Sequence, residues 1–320
     1  MVSKPGEERH GVALTNLDQP LFDGADAIKR DLIDYLDAVG DRLVPVLAGR
    51  AVSVVRVRLG QPAFMQKNLP DYAPDWIETL PFQAQSSHRE IRYPVCNDLR
   101  TLLWMGNQRA VEYHPQLFLG HDWGHQTHLV LDLDPPEGAP FAVAVQAARL
   151  VRQALLDAGM DGAVKTSGAK GVHVFVPLAG EPATEDVMAA TRAVAVRAER
   201  LDPVLATTAF IREDREGKVF VDATRSGGAS VVAAYSPRVR PGAPVSFPVP
   251  WDDLDAVSPA EFTLRTAVQA LGQSDRWRDL LPEPVRLDPG LVEEGHTIPV
   301  ARVQAMHEGK RRAKARREGS

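Results

Sequence analysis

Two aspartates at the end of an apolar strand are the residues of this sequence best placed to do chemistry. Side chains alternate across a strand, so Asp132 and Asp134 share one face of the segment His128–Asp134, and its leucines share the other. The carboxylates lie about 6–7 Å apart at the backbone, and their oxygens can converge on two divalent cations roughly 3.5–4 Å apart. Pro135 and Pro136 end the strand, and a purely structural aspartate–proline turn would give the same letters.

Further charged residues follow two other predicted strands. Asp222 ends the strand 217–222, and Arg225 follows it within one turn. Ser167 and Lys170 lie in a tight turn of small residues, whose free backbone N–H groups can bind phosphate oxygens. Two more candidates follow these turns in the chain: His173 and Arg238. The structural alternatives are an ordinary hairpin with a glycine-rich turn and a solvated rim of arginines.

These acids and cations are more informative together than singly. Three carboxylates held close to one another would repel, and at least one would keep its proton. Two Mg²⁺ or Mn²⁺ ions would remove that repulsion, activate an attacking hydroxyl and stabilise the leaving oxygen of a displacement at phosphorus. Lysine and arginine side chains would balance the charge of the phosphate oxygens. The pattern therefore predicts nucleotidyl transfer.

The elements that must position these residues alternate between helical and strand patterns and predict an α+β protein. Helical spacing of apolar residues predicts helices over 26–47, with Asp26 as N-cap, over 97–108, with Asn97 as cap, and over 141–158 and 184–201. Alternating or β-branched runs predict strands at 51–59, 62–66, 90–95, near 110, 128–134, 163–166, 171–177, 217–222 and 230–235. Residues 67–89 read as irregular, and a mostly helical end follows Trp251, with a packed helix through 262–271.

Composition favours a soluble, cytoplasmic protein. The chain has 320 residues, 44% of them hydrophobic, which is enough for a sizeable core. A single cysteine excludes an internal disulfide and is typical of a reducing compartment, and no stretch is apolar enough to span a membrane. The net charge is −5, but residues 309–320 carry +5, so residues 1–308 carry −10. A nucleic acid would therefore be bound by local basic clusters or by this tail.

A histidine-rich stretch raises the alternative of a zinc site. His121, His125 and His128 lack the cysteine or further histidine that flanks structural zinc sites. Gly124 would also break the helix that could align the first two histidines. The spacing favours a polar loop that leads into the central strand.

Several separated motifs carry a family resemblance. They are, in chain order, Leu21-Phe22, Gln61–Phe64, Asp132–Pro135, Ser167–His173, Gly217–Asp222, Tyr235–Arg238 and Phe262–Arg265. The sequence, over residues 12–282, resembles the polymerase domain of bacterial ATP-dependent DNA ligase D and its stand-alone relatives, the primase-polymerases of the archaeo-eukaryotic primase superfamily.

The resemblance implies a fold and a set of site residues. The fold would have two mixed or antiparallel sheets flanked by helices, with the active-site cleft between them. An N-terminal part would cover 12–120, a catalytic core 121–282, and an extension with the basic tail 283–320. The implied metal ligands are Asp132, Asp134 and Asp222. The implied nucleotide-binding residues are Ser167, Lys170, His173, Arg225, Arg238 and His114.

The resemblance also implies an activity. The protein would be a template-dependent nucleotidyltransferase that adds ribo- or deoxyribonucleotides to a primer 3′ end, using two Mn²⁺ or Mg²⁺ ions. Its substrates would be nucleoside triphosphates and DNA with short gaps, primer–template ends or broken ends. We expect association with the nucleoid and cooperation with a separate DNA ligase and an end-binding protein, because 320 residues leave no room for a ligase segment.

The sequence departs from the family pattern at two places that would contact DNA. Many relatives have two aromatic residues for stacking on template bases, and this chain has Phe64 followed by Met65. Ligase-linked members place a lysine for the DNA 5′-phosphate where this chain has Gln19, although a second such lysine is matched by Lys29. The loss of one charged contact should weaken the binding of the phosphate without abolishing it.

Two rival functions remain open from the sequence. A metal-dependent phosphoesterase or nuclease would use the same three carboxylates, but it has little use for a separate set of triphosphate-binding residues. A non-catalytic DNA-binding subunit could keep the fold without the chemistry.

Overall fold

A computed structural model describes residues 7–84, 89–227 and 230–300. Its helices are α1 (Lys29–Leu47), α2 (Leu99–Asn107), α3 (Phe141–Leu156), α4 (Thr184–Leu201), α5 (Ala267–Ala270), α6 (Arg276–Leu280) and α7 (Pro289–Thr297). Its strands are β1 (Glu8–Arg9), β2 (Val12–Ala13), β3 (Val52–Arg58), β4 (Gln61–Gln66), β5 (Thr79–Ala84), β6 (Arg89–Pro94), β7 (Ala110–Pro115), β8 (His128–Asp134), β9 (Ala163–Thr166), β10 (Val172–Pro177), β11 (Ala206–Thr207), β12 (Val219–Asp222) and β13 (Pro248–Val249). This mixture confirms the predicted α+β class. None of the helices in these ranges is long and apolar enough to cross a membrane.

The chain divides into two compact units that are not continuous in sequence. Of the described residues, the first unit contains 7–84, 89–125, 163–169 and 230–281, and the second contains 126–162, 170–227 and 282–300. The domain boundary expected near residue 120 stays a prediction. The tail at 309–320 lies outside the described residues.

The second unit is built around β8. Its strands are ordered β11-β12-β8-β10, and β8 runs antiparallel to both of its neighbours. The register places Asp132 opposite both His173 and Asp222. The leucines of β8 are fully buried on the opposite face, where α3 and α4 pack against the strands. One face of this sheet is therefore apolar core, and the other carries the acids.

Helix α7 belongs to the second unit and packs tightly on α4. Its N-cap is Asp288, whose carboxylate accepts a hydrogen bond from the backbone N–H of Leu291 at 2.9 Å. Gly295 lies directly against the backbone of Ala189, where any side chain would overlap it. The start of the C-terminal extension is thus an integral part of this unit.

The first unit combines a three-stranded antiparallel sheet, β4-β3-β7, with the hairpin β5–β6 and the pair β9–β13. Helices α1 and α2 pack closely because each has a glycine at the contact: Gly40 faces Leu99, and Gly106 faces Leu36. Amphipathic spacing along α1 buries its apolar stripe against this sheet and helix.

Five local predictions were wrong. Residues 230–235 are not a strand, because Tyr235 has φ +66° and forms a turn. The predicted helix through 262–271 is reduced to α5, since Thr263 instead bridges to Pro244. Helix α2 is capped by Asp98, which accepts from the N–H of Thr101 at 2.7 Å, and not by Asn97. The N-cap of α1 is Ile28, and not Asp26; its N–H donates to the carboxylate of Asp31 at 2.8 Å. Strand β5 lies in the stretch that was expected to be irregular.

Candidate active site

The predicted acids gather at one end of the second unit's sheet. Asp132 and Asp134 leave the same face of β8, and Asp222 ends the neighbouring strand β12. The side chain of Asp222 is 8% exposed and that of Asp132 is 16% exposed, whereas Asp134 is 50% exposed. The site therefore has two sheltered carboxylates and one that faces solvent.

Arg225 and His173 contact the two sheltered carboxylates. The Nε and Nη2 atoms of Arg225 lie 3.1 and 3.0 Å from Oδ2 of Asp132, and Nε also lies 3.3 Å from Oδ2 of Asp222. The Nε2 atom of His173 lies 3.2 Å from Oδ1 of Asp132. Asp132 is thus held from both sides by groups that can donate hydrogen bonds.

The negative charge of Asp134 is less closely paired than that of Asp132. Burial and the neighbouring carboxylate of Asp132 raise its pKa, and Lys170 opposes that rise. The ammonium of Lys170 lies 3.9 Å from Oδ1 of Asp134 and 3.5 Å from Glu137. A carboxylate with a raised pKa and high exposure can readily accept a further cation.

The donor set suits a hard divalent cation, but no complete cage is formed. All three carboxylates offer oxygen ligands, which Mg²⁺ and Mn²⁺ prefer. Within the described residues, however, no group of three or more histidine, cysteine, aspartate or glutamate side chains is arranged to hold an ion. At Asp132 and Asp222, the guanidinium of Arg225 contacts one oxygen of each carboxylate. The same finding applies to the histidine-rich stretch, where His125 instead contacts Asp122 at 2.6 Å.

The small-residue turn between β9 and β10 passes from the first unit to the second. Lys170 and Gly171 belong to the second unit, and Gly171 packs against the carbonyl oxygen of Leu133 on β8. Ser167 belongs to the first unit, where its hydroxyl accepts a hydrogen bond from the N–H of Ala169 at 3.2 Å. Only a glycine allows this close approach of the turn to the strand that carries the acids.

A second polar cluster lies within the first unit. Glu112 and His114 project from β7 and contact each other at 2.8 Å through Oε2 and Nε2. Arg238 lies 3.2 Å from the same glutamate oxygen through Nε and donates from Nη1 to the backbone carbonyl of Ser167. Glu112, which the sequence had not singled out, thus contacts both His114 and Arg238, and Arg238 connects this pair to Ser167. Burial lowers the pKa of His114, so its imidazole is neutral at neutral pH.

The Glu112 carboxylate should make the free energy of unfolding depend on pH in the acid range. Burial raises its pKa, but the hydrogen bond with His114 and the charge of Arg238 outweigh that effect and lower it to about 2. A depressed pKa in the folded state stabilises the protein above the unfolded value of 4.5, and this contribution disappears as the pH falls towards 2. We expect Glu112→Gln to lose roughly 2–3 kcal/mol of that pH-dependent stability.

Urea unfolding of both proteins between pH 5 and pH 2.5 measures this effect. The free energy of unfolding should fall more steeply with acid in the wild type than in the variant. Parallel pH profiles would show that Glu112 keeps an ordinary pKa.

The predicted DNA-binding residues occupy two different environments in the first unit. Phe64 is half-buried on β4, and the guanidinium of Arg58 lies 5.0 Å from the centre of its ring. Met65 is 47% exposed. Lys29, in contrast, is only 2% exposed, and its ammonium donates to the carbonyl of Thr15 and to Oδ1 of Asn107, both at 2.6 Å.

The burial of Lys29 bears on its predicted contact with a DNA phosphate. Burial, together with the charge of Arg109, lowers its pKa to about 8. The structure therefore uses this ammonium inside the protein, and a phosphate contact would require Lys29 to leave Thr15 and Asn107. The phosphate contact stays a prediction.

Comparisons with known proteins agree with the geometry. Residues 28–277 match the family described as LigD, primase-polymerase domain. The chain is 33% identical over 293 residues to the bifunctional non-homologous end joining protein LigD of Bacillus subtilis, covering 88% of this chain and 46% of that protein. It is 35% identical over 257 residues to the multifunctional non-homologous end joining DNA repair protein LigD of Mycobacterium tuberculosis, covering 76% of this chain and 33% of the relative. The chain thus spans less than half the length of these relatives.

A solved structure is similar as well. The polymerase domain from Mycobacterium tuberculosis ligase D in complex with DNA superposes with a TM-score of 0.76 at 31% sequence identity. The match covers 86% of this chain and 100% of that domain.

Proposed function

This chain belongs to the LigD primase-polymerase family, and we propose that it is a template-dependent nucleotidyltransferase that extends a primer 3′ end. The observation that supports this most directly is the cluster of strand-end carboxylates Asp132, Asp134 and Asp222, with Lys170 and Arg225 beside it. An acid cluster flanked by cations suits a reaction in which a triphosphate and its metal ions are bound together.

Each group of residues has a proposed part in the reaction. Two Mg²⁺ or Mn²⁺ ions at the three aspartates would activate the primer hydroxyl and stabilise the departing pyrophosphate. Lys170 and Arg225 would bind triphosphate oxygens. Ser167, Arg238 and His114 are proposed as further nucleotide-binding residues. The carboxylate of Glu112 fixes the orientation of Arg238 and His114 through its contacts at 3.2 and 2.8 Å.

We propose DNA with short gaps or broken ends as the nucleic-acid substrate. The relatives are named for non-homologous end joining, and the similar solved domain is in complex with DNA. Phe64 and the exposed Met65 would contact template bases, and single-base stacking is worth about 1–3 kcal/mol. A thioether offers a softer surface than a second aromatic ring, so template binding should depend mainly on Phe64.

The competing function is a metal-dependent nuclease, and one experiment separates the two. A 5′-labelled primer on gapped DNA is incubated with Mn²⁺, first without nucleotides and then with ribonucleoside or deoxyribonucleoside triphosphates. We expect no change without nucleotides and lengthening of the primer with them. Shortening of the primer in the absence of nucleotides would support the nuclease and overturn the proposal. A parallel gap that lacks the downstream 5′-phosphate measures whether Lys29 takes part in binding that phosphate.

A further inference from the structure

Arg225 holds two of the three carboxylates together. Its Nε atom lies 3.1 Å from Oδ2 of Asp132 and 3.3 Å from Oδ2 of Asp222. The other oxygens of these aspartates also have partners, His173 for Asp132 at 3.2 Å and the N–H of Thr224 for Asp222 at 2.8 Å. All four oxygens therefore have a hydrogen-bond or ion-pair partner, and Arg225 contacts one oxygen of each aspartate.

Each carboxylate oxygen keeps a further lone pair, but a divalent cation at these aspartates would be repelled by the guanidinium of Arg225 and would compete with all three partners for the oxygens. The N–H of Thr224 is part of the backbone, and His173 is 4% exposed on the central sheet. The side chain of Arg225 is 39% exposed and is the only one of the three that can leave without disturbing the core. Its departure would release the Oδ2 atoms of Asp132 and Asp222 to the cation.

The backbone around Arg225 is fixed, so this movement is confined to a side chain. The next residue, Ser226, is fully buried, and its hydroxyl accepts a hydrogen bond from the N–H of Val130 at 3.1 Å. The same hydroxyl receives a hydrogen bond from Thr191 on α4 at 3.0 Å. Rotation about the bonds of the Arg225 side chain is enough to release the aspartates.

A guanidinium that leaves two carboxylates needs another anion. We propose that Arg225 exchanges partners, neutralising Asp132 and Asp222 before the divalent cations bind and moving to the triphosphate when cation and nucleotide bind together. This inference rests on the proposed function, because the triphosphate is the anion that receives Arg225. The exchange gives a coupling free energy between metal binding and nucleotide binding that depends on the Arg225 side chain. The nucleotide therefore raises the affinity for the metal by the same factor as the metal raises the affinity for the nucleotide.

Asp134 fits the first step of this exchange. Its side chain is half-exposed. Among the described residues it forms an ion pair with Lys170, whose ammonium lies 3.9 Å from Oδ1, and none with Arg225. An incoming cation can therefore bind Asp134 first and then compete with Arg225 for the other two carboxylates.

Titration calorimetry with Mn²⁺ tests the exchange in the absence of catalysis. The full chain and Arg225→Gln are titrated without nucleotide and again with a non-hydrolysable triphosphate analogue. Without nucleotide, the variant should bind Mn²⁺ about tenfold tighter, because removal of one charge-assisted pair is worth about 1.4 kcal/mol. The gain in Mn²⁺ affinity caused by the analogue should be about tenfold smaller in the variant than in the wild type.

Equal or weaker Mn²⁺ binding by Arg225→Gln without nucleotide would overturn the exchange, even if the wild type extends primers normally. Arg225→Lys keeps the charge but loses the planar fork. A Mn²⁺ affinity equal to that of the wild type would overturn the exchange in favour of a through-space charge effect.

The melting temperature supplies an independent readout. Arg225→Gln should have a lower melting temperature than the wild type without Mn²⁺, and the difference should shrink at saturating Mn²⁺. If the wild type binds no Mn²⁺ at all, the proposed function fails together with the exchange.

Discussion

Replacing Asp132 by asparagine should reduce primer extension by roughly a thousandfold, which corresponds to about 4 kcal/mol of lost transition-state stabilisation. Asp132 lies opposite both Asp222 and His173 in the sheet register, at the centre of the acid cluster. An amide has the same shape as the carboxylate but carries no charge, so it cannot neutralise a divalent cation. The change is confined to charge, and the fold should persist.

Single-turnover extension with saturating Mn²⁺ and nucleotide measures this loss. Asp161→Asn is a matched control in the same unit. Asp161 forms an ion pair with Arg152, with 3.0 Å between Oδ2 and Nη2, and it is not part of the acid cluster. The control should extend primers at close to the wild-type rate. Extension by Asp132→Asn within tenfold of the wild type would remove Asp132 from the catalytic group.

Gly171→Ala should destabilise the protein by about 3 kcal/mol, at the upper end of the usual cost of overpacking. A Cβ at this position would overlap the carbonyl oxygen of Leu133, which belongs to the backbone of β8. A backbone atom in a central strand cannot move aside as a flexible side chain can. The strand that carries Asp132 and Asp134 would shift, so activity should fall with stability.

Urea denaturation monitored by circular dichroism measures the loss of stability. Gly124→Ala is the control, because its added Cβ would meet no neighbouring atom closer than 3.9 Å; the expected change is within about 0.5 kcal/mol. A difference of less than 1 kcal/mol between the two variants would show that the turn has room next to β8.

The local pattern of the sequence was enough to place β8 and its acids. Strict alternation over residues 128–134 gives one apolar face and one acidic face, and the structure has a strand with the same bounds. The pairing of Asp132 with Asp222 could not be derived in this way, because strand order depends on contacts distant in the sequence. The prolines after β8 and the apolar run before Asp222 indicated only that both acids stand at strand ends.

Long-range packing explains what sequence patterns missed. Glu112 contacts Arg238, more than a hundred residues away, and only the spacing of Glu112 and His114 on one strand could have drawn attention to it. Lys29 was expected to contact a DNA 5′-phosphate, yet Asn107 and Thr15 bind its ammonium in the interior. Charged side chains are buried where such neutral acceptors satisfy them, and a local pattern contains no sign of that.

Template-directed incorporation is the most direct test of the central claim. A primer on a one- to three-nucleotide gap is incubated with Mn²⁺ and one nucleoside triphosphate at a time, for each of the four template bases, and released pyrophosphate is counted. We expect addition of the complementary nucleotide, one pyrophosphate for each addition, and loss of both in Asp132→Asn. No extension with any nucleotide or with either metal ion, or addition that ignores the template base, would contradict the central claim.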